Sequence, residues 1–583
     1  MCGIIACVGE NVGNLAVSGL QRMQYRGYDS YGFAWVNADD GQILTRRSID
    51  PLDELQDHLP VCSSVLGHTR WATHGGVSVD NCHPHTATSG EFSLVHNGIV
   101  ENYQELKAKT GADNYVSETD TEVIVKLLEI ALEQVNNRRQ AFSKVLDQLG
   151  GRNTIVVLFV DGELLGIRHG SPLVLGKSDK GYFLGSDVLS FSWHSSLCYP
   201  VGDRQMVRIQ GRDVSVYDEH GELLEIEWQR VEPGESIISK EGHAHFMLKE
   251  IMEQWQTVTR QEMVMGSELK AFVEALRHCE NILVTGAGGA YFACVQIAWL
   301  LREIAGFRAL AIPAYEIESM KPMFRKGDFV LAVSQSGETA DTIHAVEVAS
   351  AWGLRIASLV NMPMSTIARL SEFSMANHCG PEICVLSTKS ATAQVAFGYL
   401  LAGSLSRLPD LKKNMNHLSS TLSRYLSDET SRKIKSLALS LKGEQHLFIL
   451  GRGHFYGTAQ VAALNIKEAS YVHAEAFAAG ELKHGVIALI DQGVPVILFS
   501  DRLDPYMLNV AAEVKSRGAR VIGIGYEDNE LFDHFIPLPV LPDPHLAIVN
   551  AMIPCQLLAY HLAVQAGLNP DKPRNLAKSV TVL

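Results

Sequence analysis

Two textures of hydrophobic and polar positions divide this chain. Up to about residue 235, apolar positions come in short runs: Ile4–Val8, Gly32–Val36, Ser93–Val95, Thr154–Val160, Leu164–Arg168 and Gly181–Leu184, each bounded by Gly-rich polar turns. Runs of this kind predict strands. Two stretches with helical spacing, Asn14–Met23 and Glu118–Gln134, predict helices. Strand runs with two helices predict an α+β layered domain.

A polar, turn-rich linker follows at Val231-Glu232-Pro233-Gly234-Glu235, and His245–Gln254 leads into a helix, so the domain boundary falls between 235 and 248. Beyond it, continuous apolar strands alternate with amphipathic helices, the pattern of doubly wound parallel sheets. An internal repeat is visible. Asn281-Ile282-Leu283-Val284-Thr285-Gly286-Ala287-Gly288 and His446-Leu447-Phe448-Ile449-Leu450-Gly451-Arg452-Gly453 share an apolar strand followed by G-x-G, with the glycines 165 residues apart (286 to 451, 288 to 453). A second strand follows each, Phe329–Val333 and Val494–Phe499, which predicts two lobes. Neither copy completes G-x-G-x-x-G, which argues against a dinucleotide site. The longest apolar stretch, Leu546–Leu568, contains Asn550, Pro554, Gln556 and His561 and predicts a buried helix pair rather than a membrane span.

Length and composition set limits. The 583 residues fit about three or four domains. The net charge of −15 argues against a nucleic-acid protein. The ten cysteines are scattered, with no CxxC pair and no Cys/His spacing of a zinc site, so reduced thiols in a cytoplasm are expected, with no metal. No basic segment precedes an apolar run at the N-terminus, so no signal peptide is expected.

Within this frame, Met1-Cys2 gains interest. A small second residue permits methionine removal, which leaves a thiol and an α-amine on one residue, and an α-amine titrating near ~8 can act as a base for its own side chain. The competing reading is a small buried cysteine at the start of a strand. Polar motifs fall in the turns of the same domain: Tyr25-Arg26-Gly27-Tyr28-Asp29-Ser30, Gly67-His68-Thr69-Arg70-Trp71-Ala72-Thr73-His74-Gly75, Asn81-Cys82-His83-Pro84-His85, His96-Asn97-Gly98-Ile99 and Ser117-Glu118-Thr119-Asp120-Thr121-Glu122. Singly, each has a structural explanation. Asn97-Gly98 is a common hairpin turn, and Ser117-x-x-Asp120 a plain helix N-cap. Together they supply the parts of glutamine hydrolysis: a thiol with its base on Cys2, an oxyanion hole from the Asn97 side chain and the Gly98 N–H, Arg70 for an α-carboxylate and Asp120 for an α-ammonium.

These motifs, in this order, resemble the class II glutamine amidotransferase domain, an N-terminal-nucleophile hydrolase with two antiparallel sheets sandwiched between helices. The resemblance implies Cys2 as nucleophile, Asn97 and Gly98 as oxyanion hole, and Arg70, Thr73, His74, Gly98 and Asp120 around the glutamine. It also implies that Trp71 gates an ammonia channel.

In the second half, Ser334-Gln335-Ser336-Gly337-Glu338-Thr339-Ala340-Asp341-Thr342 follows a strand and opens a helix. Its hydroxyls and the positive helix end suit a phosphate, and equally a capped tight turn. Ser334–Thr339, Leu386-Ser387-Thr388-Lys389, Ala474–Gly485 and Pro573–Val582 resemble the two SIS domains of the glucosamine-6-phosphate synthase family. With the first domain, the resemblance covers nearly the whole chain: an amidotransferase domain at 1–240, SIS domains at 250–415 and 430–565, and a tail at 566–583 entering the sugar site. It implies that Ser334, Gln335, Ser336 and Thr339 bind the sugar phosphate and that Val385 and Ser387 hold the sugar. Lys578 is implied to form a Schiff base, Glu468 to move a proton between C1 and C2, and His484, from a partner subunit of a homodimer, to assist ring opening. The expected substrates are L-glutamine and a sugar phosphate, with no cofactor, nucleic acid or membrane involved.

Three positions depart from the family pattern. Ala287-Gly288-Gly289-Ala290 replaces C-G-T-S, Asn465 replaces a lysine, and Val486 a proline. The first two keep an alternative open, amination or deamination of a different keto-sugar phosphate. A sugar-phosphate sensor without catalysis is a further alternative, opposed by Cys2, Asn97, Asp120, Glu468 and Lys578.

Overall fold

The computed structural model describes every residue except 1, 56–58, 112–114, 232–238, 503 and 582–583. The chain divides into two compact units, one of Met1–Ser239 with Ala577–Leu583 and one of Lys240–Leu576. All but the first residue of the linker Val231–Glu235 lies outside the described residues.

In the first unit, two antiparallel sheets stack face to face. The eight-stranded sheet has Gly3–Gly9 near its centre, between Ser64–Arg70 and Gly181–Gly185. The seven-stranded sheet carries Phe92–Gly98 between His85–Thr86 and Asn153–Phe159. Alternation along each strand builds the layers. Ile4, Ala6 and Val8 face inward and pack against Val95, Val156, Leu158 and Leu164 of the other sheet. Ile5, on the opposite face, approaches Gly19 in the helix Gly13–Arg22, where a Cβ would lie 2.1 Å from Ile5 Cδ1. Helices Thr121–Gln134 and Arg138–Leu146 cover the outer face of the second sheet through Val123, Ile124, Leu127, Leu128 and Phe142. The result is a helix–sheet–sheet–helix sandwich.

The second unit repeats one design. Five parallel strands in the order Arg308–Pro313, Asn281–Gly286, Phe329–Ser334, Arg355–Val360, Phe373–Ala376 form the first lobe. His473–Ala478, His446–Gly451, Pro495–Ser500, Arg520–Gly525, His534–Pro537 form the second in the same order. The G-x-G repeat has a backbone reason. Gly288 and Gly453, the residues before the long helices Gly289–Ala305 and His454–Ser470, adopt φ/ψ of 56/−130° and 57/−121°, a region closed to side-chain-bearing residues. One apolar core runs through both lobes, joining Ile297 and Leu300 to Ile466, Ala462 and Leu557.

Two expectations are corrected, and two competing local readings are set aside. Leu546–Leu568 is not a helix pair: Ala547–Gln565 is one helix continuing through Pro554. It is long and apolar enough to cross a membrane, but 94% of that window is buried inside the protein, and this packing outweighs the bond that proline removes. Asn97-Gly98 is not a hairpin turn: both residues end a strand, opposite Thr154 and Asn153. The helix expected from Glu118 starts at Thr121, and Ser117 does not cap it. Instead the Glu122 carboxylate accepts the N–H groups of Val116 and Ser117, and Asp120 Oδ2 accepts the N–H of Val100 at 2.7 Å.

Candidate functional site

The strand that begins at Gly3 is fixed on both sides, and this sets the place of Cys2. Gly3 N–H donates to Thr69 Oγ1 (3.1 Å) and Ile4 N–H to Ser186 Oγ (2.9 Å). Ser186 N–H returns a bond to Ile4 O (3.0 Å). The neighbouring Asp187 forms a buried ion pair with Arg26 (2.9 Å) and accepts Tyr25 O–H (2.8 Å). Asp29 then ties this motif to the next, its N–H donating to Arg70 O (3.0 Å) and its carboxylate accepting Ala72 N–H (2.8 Å).

The Cys2 thiol accepts the Trp71 N–H at 3.2 Å, and the Cys2 carbonyl accepts Asn97 Nδ2 at 3.0 Å. Burial pushes the thiol above its ordinary range, against the pull of the Trp71 N–H and Arg70. Such a thiol is protonated near neutrality, so a nearby base is needed to make it a nucleophile. Arg70 is buried and donates three of its N–H groups to the carbonyls of His74, Gly75 and Gly76 at 2.5, 3.0 and 3.0 Å, curling that loop around itself. Two of its five N–H groups remain for a carboxylate.

All eight residues expected for glutamine chemistry, Cys2, Arg70, Trp71, Thr73, His74, Asn97, Gly98 and Asp120, line one cavity. Gly98 is required there. Its φ is +150°, and a Cβ would sit 2.1 Å from Arg152 O and 2.7 Å from His96 Nε2. The same wall contains residues to which sequence reasoning gave no role: His83, His96, Thr119, Thr121 and Thr581. Thr581 comes from the tail, which groups with this unit from Ala577 onward. In and behind this wall, burial holds four imidazoles neutral. It lowers His68 and His85 to about 3, His83 well below its ordinary value, and His96 in the same direction.

In the second unit, the hydroxyl loop organises itself. Ser334 Oγ accepts Gly337 N–H (3.0 Å) and lies 3.1 Å from Thr339 Oγ1, and Ser336 Oγ accepts Glu338 N–H (3.1 Å). Gln335 O accepts Asn361 N–H (3.1 Å). The helix Ala340–Ala351 starts without a side-chain cap, which leaves N–H groups of its first turn for an anion. A Cβ on Gly289 would lie 3.3 Å from Ser387 Cβ and 3.9 Å from Leu464 Cδ2, so the start of the helix Gly289–Ala305, Ser387 and the helix His454–Ser470 adjoin. Val385 is buried and donates its N–H to Asp571 O (3.4 Å). Glu468 is half-buried on His454–Ser470, and His484 is exposed. Lys578 is half-buried and belongs to the tail grouped with the first unit. Among the described residues, no cluster of His, Cys, Asp and Glu suited to a metal is found.

Sandwich, cavity and twin parallel sheets together define a glutamine amidotransferase fused to two sugar-isomerase-type domains. Comparison with known families agrees. Residues 44–145 match the glutamine amidotransferase domain, and residues 275–404 and 440–566 match the SIS domain. The chain is 36% identical over 599 residues to a glutamine–fructose-6-phosphate aminotransferase (isomerizing) from Methanothermobacter thermautotrophicus, covering 100% of both chains. It is 37% identical over 609 residues to the enzyme of the same name from Pyrococcus horikoshii, again covering 100% of both. The solved C-terminal domain of glucosamine-fructose-6-phosphate aminotransferase from Francisella tularensis aligns with 57% of this chain and 100% of its own, at 29% identity and a TM-score of 0.53. The chain belongs to the glutamine–fructose-6-phosphate aminotransferase (isomerizing) family.

Proposed function

We propose that this enzyme transfers the amide nitrogen of L-glutamine to D-fructose 6-phosphate, giving D-glucosamine 6-phosphate and L-glutamate. Full-length membership of the family supports this reading, and the single observation that carries it is the convergence of Cys2, Arg70, Asn97, Gly98 and Asp120 on one cavity. After Met1 is removed, the α-amine of Cys2 takes the thiol proton. The sulfur attacks the side-chain carbonyl of glutamine, and Asn97 Nδ2 and the Gly98 N–H stabilise the oxyanion. Ammonia leaves with the proton returned by the amine, and water cleaves the thioester to glutamate. Arg70 and Asp120 hold the two charged ends of the amino acid, with Thr73 and His74 beside them. Trp71 gates the ammonia, which a closed site protects from protonation and loss.

On the sugar side, Ser334, Gln335, Ser336 and Thr339 hold the phosphate, and Val385 and Ser387 hold the chain of the sugar. Lys578 condenses with the C2 carbonyl, releasing water, and ammonia then displaces the lysine. Glu468 carries a proton from C1 to C2 while the C1 hydroxyl gives its proton up and the imine nitrogen gains one, which converts the ketose imine into the amino aldose. His484 acts from the partner of a homodimer, consistent with its exposure. We also assign the enzyme to the cytoplasm.

A second reading, action on a different keto-sugar phosphate, is favoured by one observation. Asn465, where the family carries a lysine, is buried with its Oδ1 unpartnered. Incubation with glutamine and fructose 6-phosphate decides between them. Formation of glucosamine 6-phosphate and glutamate in equal amounts is expected. Glutamine hydrolysis without amino sugar would refute the first reading and leave the second.

A further inference from the structure

Asn97 has a side-chain amide whose two ends differ: an NH2 that can stabilise an oxyanion and an oxygen that would repel one. One end faces the Cys2 carbonyl at 3.0 Å, which can only accept, so that end is the NH2. The other end, Oδ1, lies 3.2 Å from His68 Nε2. An acceptor there requires Nε2 to carry the proton. His68 is fully buried and is not among the residues lining the cavity. Strand alternation explains its aim. His68 and Arg70 are two residues apart on Ser64–Arg70 and share a face. The His68 ring rests on that of His83, centroids 4.3 Å apart, and His83 lines the cavity.

From this geometry we propose that His68 is a positioning residue for glutamine hydrolysis, donating from Nε2 to Asn97 Oδ1 so that the Asn97 NH2 faces the forming oxyanion. The bond does two things. It fixes the amide against rotation, and it polarises the amide, which strengthens the N–H that serves the oxyanion. One Nδ2 hydrogen is taken by the Cys2 carbonyl, and the second is free for the cavity. Without the imidazole, Oδ1 would be a buried acceptor with no donor, and the amide would lose its fixed direction. Burial lowers His68 to about 3, so the ring is neutral over the working pH range and adds no charge to the site.

This inference rests on the glutaminase reading, and the test separates the two. In the full-length enzyme, His68→Leu is expected to lower kcat for glutamine hydrolysis by about 10- to 100-fold, below the cost of deleting an oxyanion donor outright. KM for glutamine is expected to stay unchanged, because Arg70 and Asp120, not the Asn97 amide, hold the ground-state amino acid. His68→Gln, which keeps an N–H donor, is expected to recover most of the loss. In an Asn97→Ala background, His68→Leu is expected to cost nothing further. Should His68→Leu melt below the assay temperature, His68→Phe, which keeps the ring against His83 without the N–H, takes its place with the same expectations. Unchanged kcat, equal kcat in the Leu and Gln variants, or a full additional loss in the Asn97→Ala background would each overturn the proposal. Wild-type enzyme that hydrolyses no glutamine would instead overturn the glutaminase reading itself.

Discussion

The two SIS lobes share one strand order and one G-x-G backbone, yet their corresponding loops carry opposite chemistry. After Phe329–Ser334, the first lobe presents Ser334, Ser336 and Thr339 and an uncapped helix start. After Pro495–Ser500, the second presents Asp501 and Asp504. Asp504 caps its helix by accepting Tyr506 N–H (2.9 Å) and pairs with Arg452 (2.9 Å), and Asp501 lies 3.9 Å from His454 Nε2. The place where an anion would bind in the second lobe is therefore filled by the protein's own carboxylates. A duplicated scaffold supplies two helix termini, and the loop residues decide which one is left open to an anion.

That contrast can be broken most severely by moving a carboxylate into the first lobe. Ser336→Asp keeps an acceptor for the Glu338 N–H, so the loop folds, but it sets like charges together at a cost of several kcal/mol. We expect KM for the sugar phosphate to rise by about three orders of magnitude, with glutamine hydrolysis by the separate cavity unchanged; an unchanged sugar KM would remove the phosphate from this loop.

Acid acts on the Cys2 unit through its buried histidines. His68 and His85 are lowered to about 3 by burial, so between that value and their unfolded value near 6.5 the unfolded chain binds more protons. Stability of the Cys2 unit is therefore full above pH 6.5 and falls as pH drops, by up to about 1.4 kcal/mol per pH unit for each residue. Thermal melts from pH 7 to 5 should show this loss, and replacing His85 by Gln should reduce the slope.

A smaller effect is expected from Thr339→Ala, which removes one hydroxyl from the loop. A lost hydrogen bond to a charged group is worth about 1.5–3 kcal/mol, so sugar KM should rise roughly 10- to 100-fold with kcat for glutamine hydrolysis unmoved. Smallest of all, Asp504→Ala should cost about 1 kcal/mol of stability as a lost cap and leave sugar KM unaltered. A change in sugar KM there would place an anion in the second lobe as well.

Much of this arrangement is legible from pattern. The strand runs at Ile4–Val8, Gly32–Val36 and Thr154–Val160 appear within one or two residues of their places, as Gly3–Gly9, Ser30–Val36 and Asn153–Phe159. They read as near-continuous apolar runs because both of their faces are buried. Ile43–Ser48, Leu197–Pro200 and Asp213–Tyr217 escaped because they lie at or near sheet edges, partly solvated, where no apolar period is imposed. The same holds for the helix Tyr103–Thr110, which buries only Leu106. Asp120 looked like part of a capping sequence, but its carboxylate serves the Val100 N–H, a partner twenty positions away that local rules do not register.

By itself, then, the sequence determined the layered first domain, the repeated lobes and the residue types of the glutamine chemistry, because periodicity and motif chemistry are local. Tertiary structure alone decided that His68 stands behind Asn97 and that Thr581, from the far end of the chain, closes the wall beside Cys2. It also decided that the helix around Pro554 is one piece. Each depends on contacts between residues distant in sequence, where burial and hydrogen bonding set the outcome and local pattern carries no record of the partner.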